Sequence, residues 1–88
     1  MEFFTSREFD KKMKKIKFRD RQLFLQVEKQ LGLFLQNHLH PSLRVHKLSG
    51  NLKNIWSISV DKHIRMTYIL DEEGALFIDI GTHDQIYR

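Results

Sequence analysis

The sequence predicts an α+β fold in which two N-terminal helices pack on one face of a twisted antiparallel sheet. Three observations predict it. Apolar residues recur at helical spacing up to about residue 37, they alternate with polar ones from about residue 43, and the single proline, Pro41, stands at the changeover. The later segments are joined by short links, which suit antiparallel pairing, since parallel strands need crossovers of a dozen or more residues. Helices first and strands afterwards segregate the helices to one side of the sheet and leave the other side open to water.

Residues 2–5 are apolar enough for a short first strand. Thr5 and Glu8 then have the T-x-x-E spacing of a capping box, in which the two side chains satisfy free amides at a helix start. Phe9, Met13 and Ile16 follow on one face, with Lys11, Lys12, Lys14 and Lys15 between them, giving an amphipathic helix of roughly three turns. That lysine cluster reads as a solvated face that also attracts polyanions. Asp20 is the N-cap of a second helix. Leu23, Val27, Leu31, Phe34 and Leu35 form its apolar face, Gln22, Gln26, Gln30 and Gln36 lie mostly away from it, and it ends near Asn37. Pro41 then blocks continuation, because its ring and missing N–H break the hydrogen-bond ladder.

Leu43 to Leu48 reads as a strand and Ser49-Gly50-Asn51 as a turn. Trp56, Ile58 and Val60 alternate with Ser57, Ser59 and Asp61, and Asp61-Lys62-His63 turns the chain. Ile64, Met66, Tyr68 and Leu70 alternate with Arg65, Thr67 and Ile69. Asp71-Glu72-Glu73-Gly74 is a further turn, with Gly74 free to take positive φ. Leu76, Ile78 and Ile80 make a last strand, and residues 81–88 read as a polar tail. Residues 1–88 form a single domain, too short for a second core.

Composition narrows the function. No run of about 18 apolar residues is present, so no membrane span is expected. The start lacks the pattern of a secretory signal, and with no cysteine there is no disulfide framework, so the cytoplasm is the expected compartment. Residues 1–50 carry 11 Lys/Arg against 5 Asp/Glu, whereas residues 51–88 carry 4 against 6. A basic half suits nucleic acid or an acidic protein, and equally a basic domain with neither.

Five histidines raise the question of metal. His38 and His40 are two apart beside Pro41 and read as solvated loop residues, and there is no HExxH or Cys/His array, so no metal and no cofactor is expected. His46, Arg65 and His83 are better placed, on strands or just after one, where an antiparallel sheet brings them toward one wet face, with Tyr87 four residues beyond His83. Imidazoles suit proton transfer near neutral pH, and a guanidinium suits a phosphate gaining charge. RNA cleavage through the 2′-hydroxyl needs those groups. Other roles fit the same residues: Arg65 paired with Asp61 or Asp79, Tyr87 packed over the sheet edge, and Trp56 in the core.

The stretch Val45-His46-Lys47-Leu48-Ser49-Gly50-Asn51-Leu52-Lys53, then Trp56-Ser57-Ile58, then Ile64-Arg65-Met66-Thr67-Tyr68, resembles the RelE/ParE toxin superfamily. Those toxins carry an h-x-L-x-G-x-x-K/x-x-W/Y segment followed by an R-hydrophobic-x-Y strand. The ending Gly81-Thr82-His83-Asp84-Gln85-Ile86-Tyr87 is similar to the G-T/S-H-x-x-hydrophobic-F/Y ending of the YafQ-like branch. The motifs span residues 43–88, and residues 6–37 agree only as two helices.

The resemblance implies a RelE-like fold and a toxin of a type II toxin–antitoxin pair. Its expected activity is that of an mRNA interferase, an endoribonuclease that cuts mRNA on the ribosome without metal. Its partners would be a cognate antitoxin, the ribosome and mRNA. By position, His46 and His83 become acid/base residues, Arg65 the phosphate-stabilising arginine, and Tyr87 the terminal aromatic that orients the message or joins in proton transfer. Arg44, Lys47 and Lys53 become substrate-binding cations. Where the branch has a further histidine and an aspartate, this sequence has Ser59 and, nearby, His63. Either His63 takes one of those roles or the site runs on His46, His83 and Arg65. Two other readings share the scaffold, a ParE-like gyrase inhibitor, which needs no proton-transfer pair, and a catalytically inactive RNA-binding or interaction module.

Overall fold

The computed structural model describes residues 1–48 and 54–86. The chain begins with a short strand, β1 (Phe3–Thr5), followed by α1 (Arg7–Arg19) and α2 (Arg21–Gln36). A 3-10 turn at Pro41–Leu43 leads to β2 (His46–Lys47), β3 (Ile55–Ser59), β4 (Ile64–Asp71), β5 (Gly74–Thr82) and a final helical turn, α3 (His83–Ile86). The five strands make one open sheet in the order β1-β5-β4-β3-β2. β2 to β5 pair antiparallel, as the short links require. β1 pairs parallel with β5 at the far edge, so the sheet is mixed rather than purely antiparallel.

Capping side chains set the helix boundaries. Ser6, not Thr5, starts α1, its Oγ accepting from the Phe9 amide at 3.1 Å. Thr5 is engaged as the last residue of β1, opposite Phe77. Asp20 caps α2 through the Leu23 amide, and Asn37 ends it, as the sequence predicts. The buried face of α2 carries Val27, Gln30 and Phe34, while Leu35 points outward. Gln30 and Gln26 turn toward the sheet, against expectation. Gln30 donates to the Ser59 carbonyl at 2.9 Å and Gln26 to the Val60 carbonyl at 3.0 Å. Ser59 ends β3 and Val60 follows it, and a buried acceptor without a donor there would be unfavourable.

The predicted strand over residues 43–48 shrinks to two residues. Leu43 is sealed in the core, and Arg44 adopts φ 46° and ψ 57°, a left-handed conformation that turns the chain before extended pairing can begin. His40 is more than a solvated loop residue, since its Nδ1 accepts from the Ser42 amide at 3.1 Å and caps the 3-10 turn. His38 sets its ring edge-on to Phe34. The Ser49-Gly50-Asn51 turn lies outside the described residues.

Alternation decides which side of the sheet each residue serves. Ile58, Met66, Tyr68 and Phe77 face the helices and join Phe9, Val27 and Phe34 in the core. The rings of Phe34, Tyr68 and Phe77 lie 5.0–5.3 Å apart. Trp56 stands opposite Tyr68 on that side and packs against the core. Gly74 sits at φ 138°, and a β-carbon there would fall 2.5 Å from the Glu2 carbonyl oxygen, so glycine is needed where β1 meets β5. Among the described residues no helix is long and apolar enough to cross a membrane.

Burial pushes the Tyr68 hydroxyl from its ordinary 10.0 up to about 12. Folding therefore favours the protonated phenol, and that contribution is intact below pH 10 and lost as pH rises through about 12. Two units correspond to up to about 3 kcal/mol. Urea titrations between pH 9 and pH 12 should show Tyr68→Phe losing less stability over that range than the unsubstituted protein. Parallel losses in the two proteins would show that the phenol does not drive alkaline unfolding.

Candidate functional site

The opposite side of the sheet is built around Arg65. In the register of β3 and β4, Ser59 stands opposite Arg65 and Ser57 opposite Thr67, and β5 places Gly81 opposite Arg65 on its other side. Residues directly opposite share a face, so all of these point away from the aromatic core. The Arg65 guanidinium folds across β3. Its Nε donates to Ser57 Oγ at 2.9 Å, and its Nη2 donates to the Ser57 carbonyl at 3.2 Å and to the Arg44 carbonyl. Ser57 has no exposed surface, so it is a fixed post beneath the arginine. The left-handed turn at Arg44 aims that residue's carbonyl at the same guanidinium. All these acceptors are neutral oxygens. Asp79 is occupied elsewhere, pairing with Lys12 of α1. Asp61 Oδ1 accepts from the His63 and Ile64 amides at 2.7 and 2.8 Å and closes the β3–β4 turn.

An open cleft of about 390 Å³ lies beside Arg65, at the end of the sheet where α2 meets the β3–β4 turn. Arg44, Lys62, His63, Arg65 and His83 line it, together with Gln26, Lys29 and Gln30 of α2. Cations and imidazoles thus converge from four separate stretches of chain. Among the described residues no three metal-ligating side chains cluster.

His83 reaches the cleft because β5 runs two residues beyond Ile80 and then turns into α3, where the sequence suggested only a polar tail. The turn is a reciprocal capping box. Gln85 Oε1 accepts from the Thr82 amide at 2.8 Å, and Thr82 Oγ1 accepts from the Gln85 amide at 3.3 Å. A β-carbon on Gly81 would lie 2.6 Å from Gln85 Oε1, so α3 folds over the same face as Arg65 through the space that glycine leaves. The T-x-x-Q signature is present in the sequence but precedes no long apolar run, the context that usually marks a helix start.

The structure brings four of the sequence-predicted residues together in the cleft, Arg44, His63, Arg65 and His83. His46 is exposed on β2 opposite Ser57, on the Arg65 face but one strand away from the cleft lining. Lys47 faces the other side, its ammonium 5.9 Å from the centre of the Trp56 ring, because adjacent strand residues alternate. The structure therefore does not place Lys47 with the site. Lys53 and Tyr87 lie outside the described residues. Lys29 and Lys62 line the cleft without having been singled out in the sequence. Nothing in the pattern separates them from other surface lysines.

The family model described as the bacterial toxin of type II toxin–antitoxin system, YafQ, matches residues 1–88. The fold is similar to that of the Escherichia coli DinJ–YafQ complex, at 20% identity and a TM-score of 0.79, covering 99% of this chain and 98% of that one. It is also similar to a YoeB/ParE toxin from Agrobacterium tumefaciens, at 13% identity and a TM-score of 0.78, covering 94% and 99%. The YoeB–YefM complex from Staphylococcus aureus matches at 17% identity and a TM-score of 0.76, covering 94% and 97%. No curated protein matches the sequence.

The glutamines of α2 offer a test of how the cleft wall is held. Gln30→Ala removes the buried donor to the Ser59 carbonyl and should lower stability by about 1–3 kcal/mol, read from the urea midpoint. The exposed Gln36→Ala should leave the midpoint nearly unchanged. Equal effects would show that the Gln30 bond contributes nothing to the wall.

Proposed function

The chain belongs to the YafQ family of bacterial toxins of type II toxin–antitoxin systems, and we propose that it is a ribosome-dependent endoribonuclease whose cleft cuts mRNA by acid/base chemistry without metal. The observation that carries this reading is a guanidinium fixed by Ser57 and Arg44 in the same cleft as two imidazoles. We read residues 1–88 as a single toxin domain. Its compartment is the cytoplasm, where ribosomes translate.

The proposed reaction runs as a transesterification. One imidazole takes the proton of the 2′-hydroxyl, whose oxygen attacks the adjacent phosphorus. The 5′-oxygen of the next nucleotide departs with its electron pair and receives a proton from the second imidazole. The upstream product ends in a 2′,3′-cyclic phosphate and the downstream product begins with a 5′-hydroxyl. Arg65 faces the phosphorane, where negative charge builds on the equatorial oxygens. Its prepositioned charge needs no reorganisation at that moment. His83 and His63 share the cleft and suit the proton transfers, with His46 as the flanking candidate from β2. In this reading His63 takes over one of the roles that Ser59 cannot perform. Arg44 and Lys53 hold backbone phosphates, and Tyr87 orients the message.

A cognate antitoxin is the second expected partner. Related toxins have been solved with the antitoxins DinJ and YefM. For this chain we expect an acidic or amphipathic antitoxin segment that neutralises the basic cleft by charge and burial together.

The test uses single substitutions, induced expression and primer extension of host mRNA. His83 is exposed, so His83→Ala should keep the fold and reduce cleavage by about 10²–10⁴-fold. Arg65→Ala should lower the single-turnover rate by about 10²–10³-fold while ribosome binding changes far less. Codon-phased cuts that survive both substitutions would show that cleavage does not run through Arg65 and His83. Intact mRNA with DNA damage would identify a gyrase-directed toxin instead. Intact mRNA with healthy growth would identify an inactive binding module. Comparing His63→Ala with His46→Ala separates the two proton-transfer assignments, since the His63 substitution should cost more activity.

A further inference from the structure

We propose that Gln85 is a positioning residue for His83, an inference that rests on the nuclease reading above. The G-T/S-H-x-x-hydrophobic pattern leaves position 85 unspecified, yet in this chain its side chain holds the backbone just before the histidine. Gln85 Oε1 accepts from the Thr82 amide, immediately before His83, while the Gln85 amide donates to Thr82 Oγ1. His83 thus sits inside a closed loop of two hydrogen bonds. Its own side chain is exposed, and its nearest acidic neighbour, the exposed Asp84, lies 3.7 Å from Nδ1. The imidazole is carried on this turn, so the backbone that the box holds sets where the ring starts from.

Gly81 links the turn to Arg65. It pairs with Arg65 across β4 and β5, and a β-carbon there would fall 2.6 Å from Gln85 Oε1, so that side chain would have to shift. The glutamine side chain therefore lies over the backbone residue opposite Arg65. One side chain joins the strand that carries the arginine's neighbour to the helical turn that carries the imidazole. A loosened turn would let His83 move relative to Arg65, and displacements near 1 Å can lower a rate by about 100-fold. Glutamate closes a capping box as glutamine does, whereas alanine cannot.

The experiment compares Gln85→Ala, Gln85→Glu and Gly81→Ala with the unsubstituted toxin on programmed ribosomes. Gln85 is exposed, so its truncation removes nothing from the core. Gln85→Ala should lower kcat by about 10- to 100-fold with KM nearly unchanged. Gln85→Glu should recover most of that loss, and Gly81→Ala should reproduce it. Amide exchange at Thr82 should speed up in Gln85→Ala while the amides of Met66 and Tyr68 keep their protection. A wild-type kcat in Gln85→Ala despite fast Thr82 exchange would overturn the proposal, because the box would then hold only the chain end. Failure of Gln85→Glu to recover the rate would overturn it as well. His83→Ala is assayed alongside. Full activity there would remove His83 from the proposed chemistry, whereas an inactive His83→Ala beside a fully active Gln85→Ala would remove only the positioning role.

Discussion

The pairing register between β3 and β4 is the constraint from which the site follows. Ile58 lies opposite Met66, and Ser59 opposite Arg65. Because side chains alternate, a slip of one residue would turn Met66 and Tyr68 out to water and drive Arg65 among Phe34 and Phe77. Burying an unpaired guanidinium there would cost several kcal/mol, and the lost aromatic packing would add to it. The core therefore specifies the register, and the register specifies where Arg65 stands. The arginine needs no separate device to reach the open face, since the hydrophobic alternation of β4 sends it there.

Packing also builds the wall that faces Arg65. Gln26 and Gln30 of α2 reach the last carbonyls of the β3 segment, and Asp61 folds its carboxylate onto two amides of the following turn. These bonds fix the turn that carries Lys62 and His63 against the helix that carries Lys29. They also engage Asp61, a carboxylate in the cleft lining, in backbone hydrogen bonding. The result is a concave surface whose lining includes three lysine or arginine residues besides Arg65. Such a surface concentrates polyanions and repels wrong partners before any specific contact forms.

Local signals were legible in the sequence where one residue acts on its immediate neighbours. Asp20 and Asn37 bound α2, Asp61 and Asp71 close turns, and Gly74 takes positive φ, all as residue type predicts. The misreadings involve contacts made across the fold. Gln30 looks like a solvent-facing residue until Ser59 is placed beneath it. The left-handed Arg44 has no signature, because arginine does not favour that conformation. Lys47 has the charge of a substrate-binding cation, and strand alternation turns it toward Trp56. At Thr82 and Gln85 the signature was present, but a four-residue helix leaves no periodic pattern to support it. The resemblance located His83 in the chain, and the capping box explains physically how a short polar ending presents it.

The most direct measurement of the central claim uses a ribosome programmed with an mRNA that carries a single 2′-deoxynucleotide on the 5′ side of the cut position. Attack by the 2′-oxygen predicts that this message stays intact, and that the all-ribose message yields a downstream fragment beginning with a 5′-hydroxyl. Cleavage through the deoxynucleotide, or a 5′-phosphate on the downstream fragment, would contradict an arginine-assisted transesterification in this cleft.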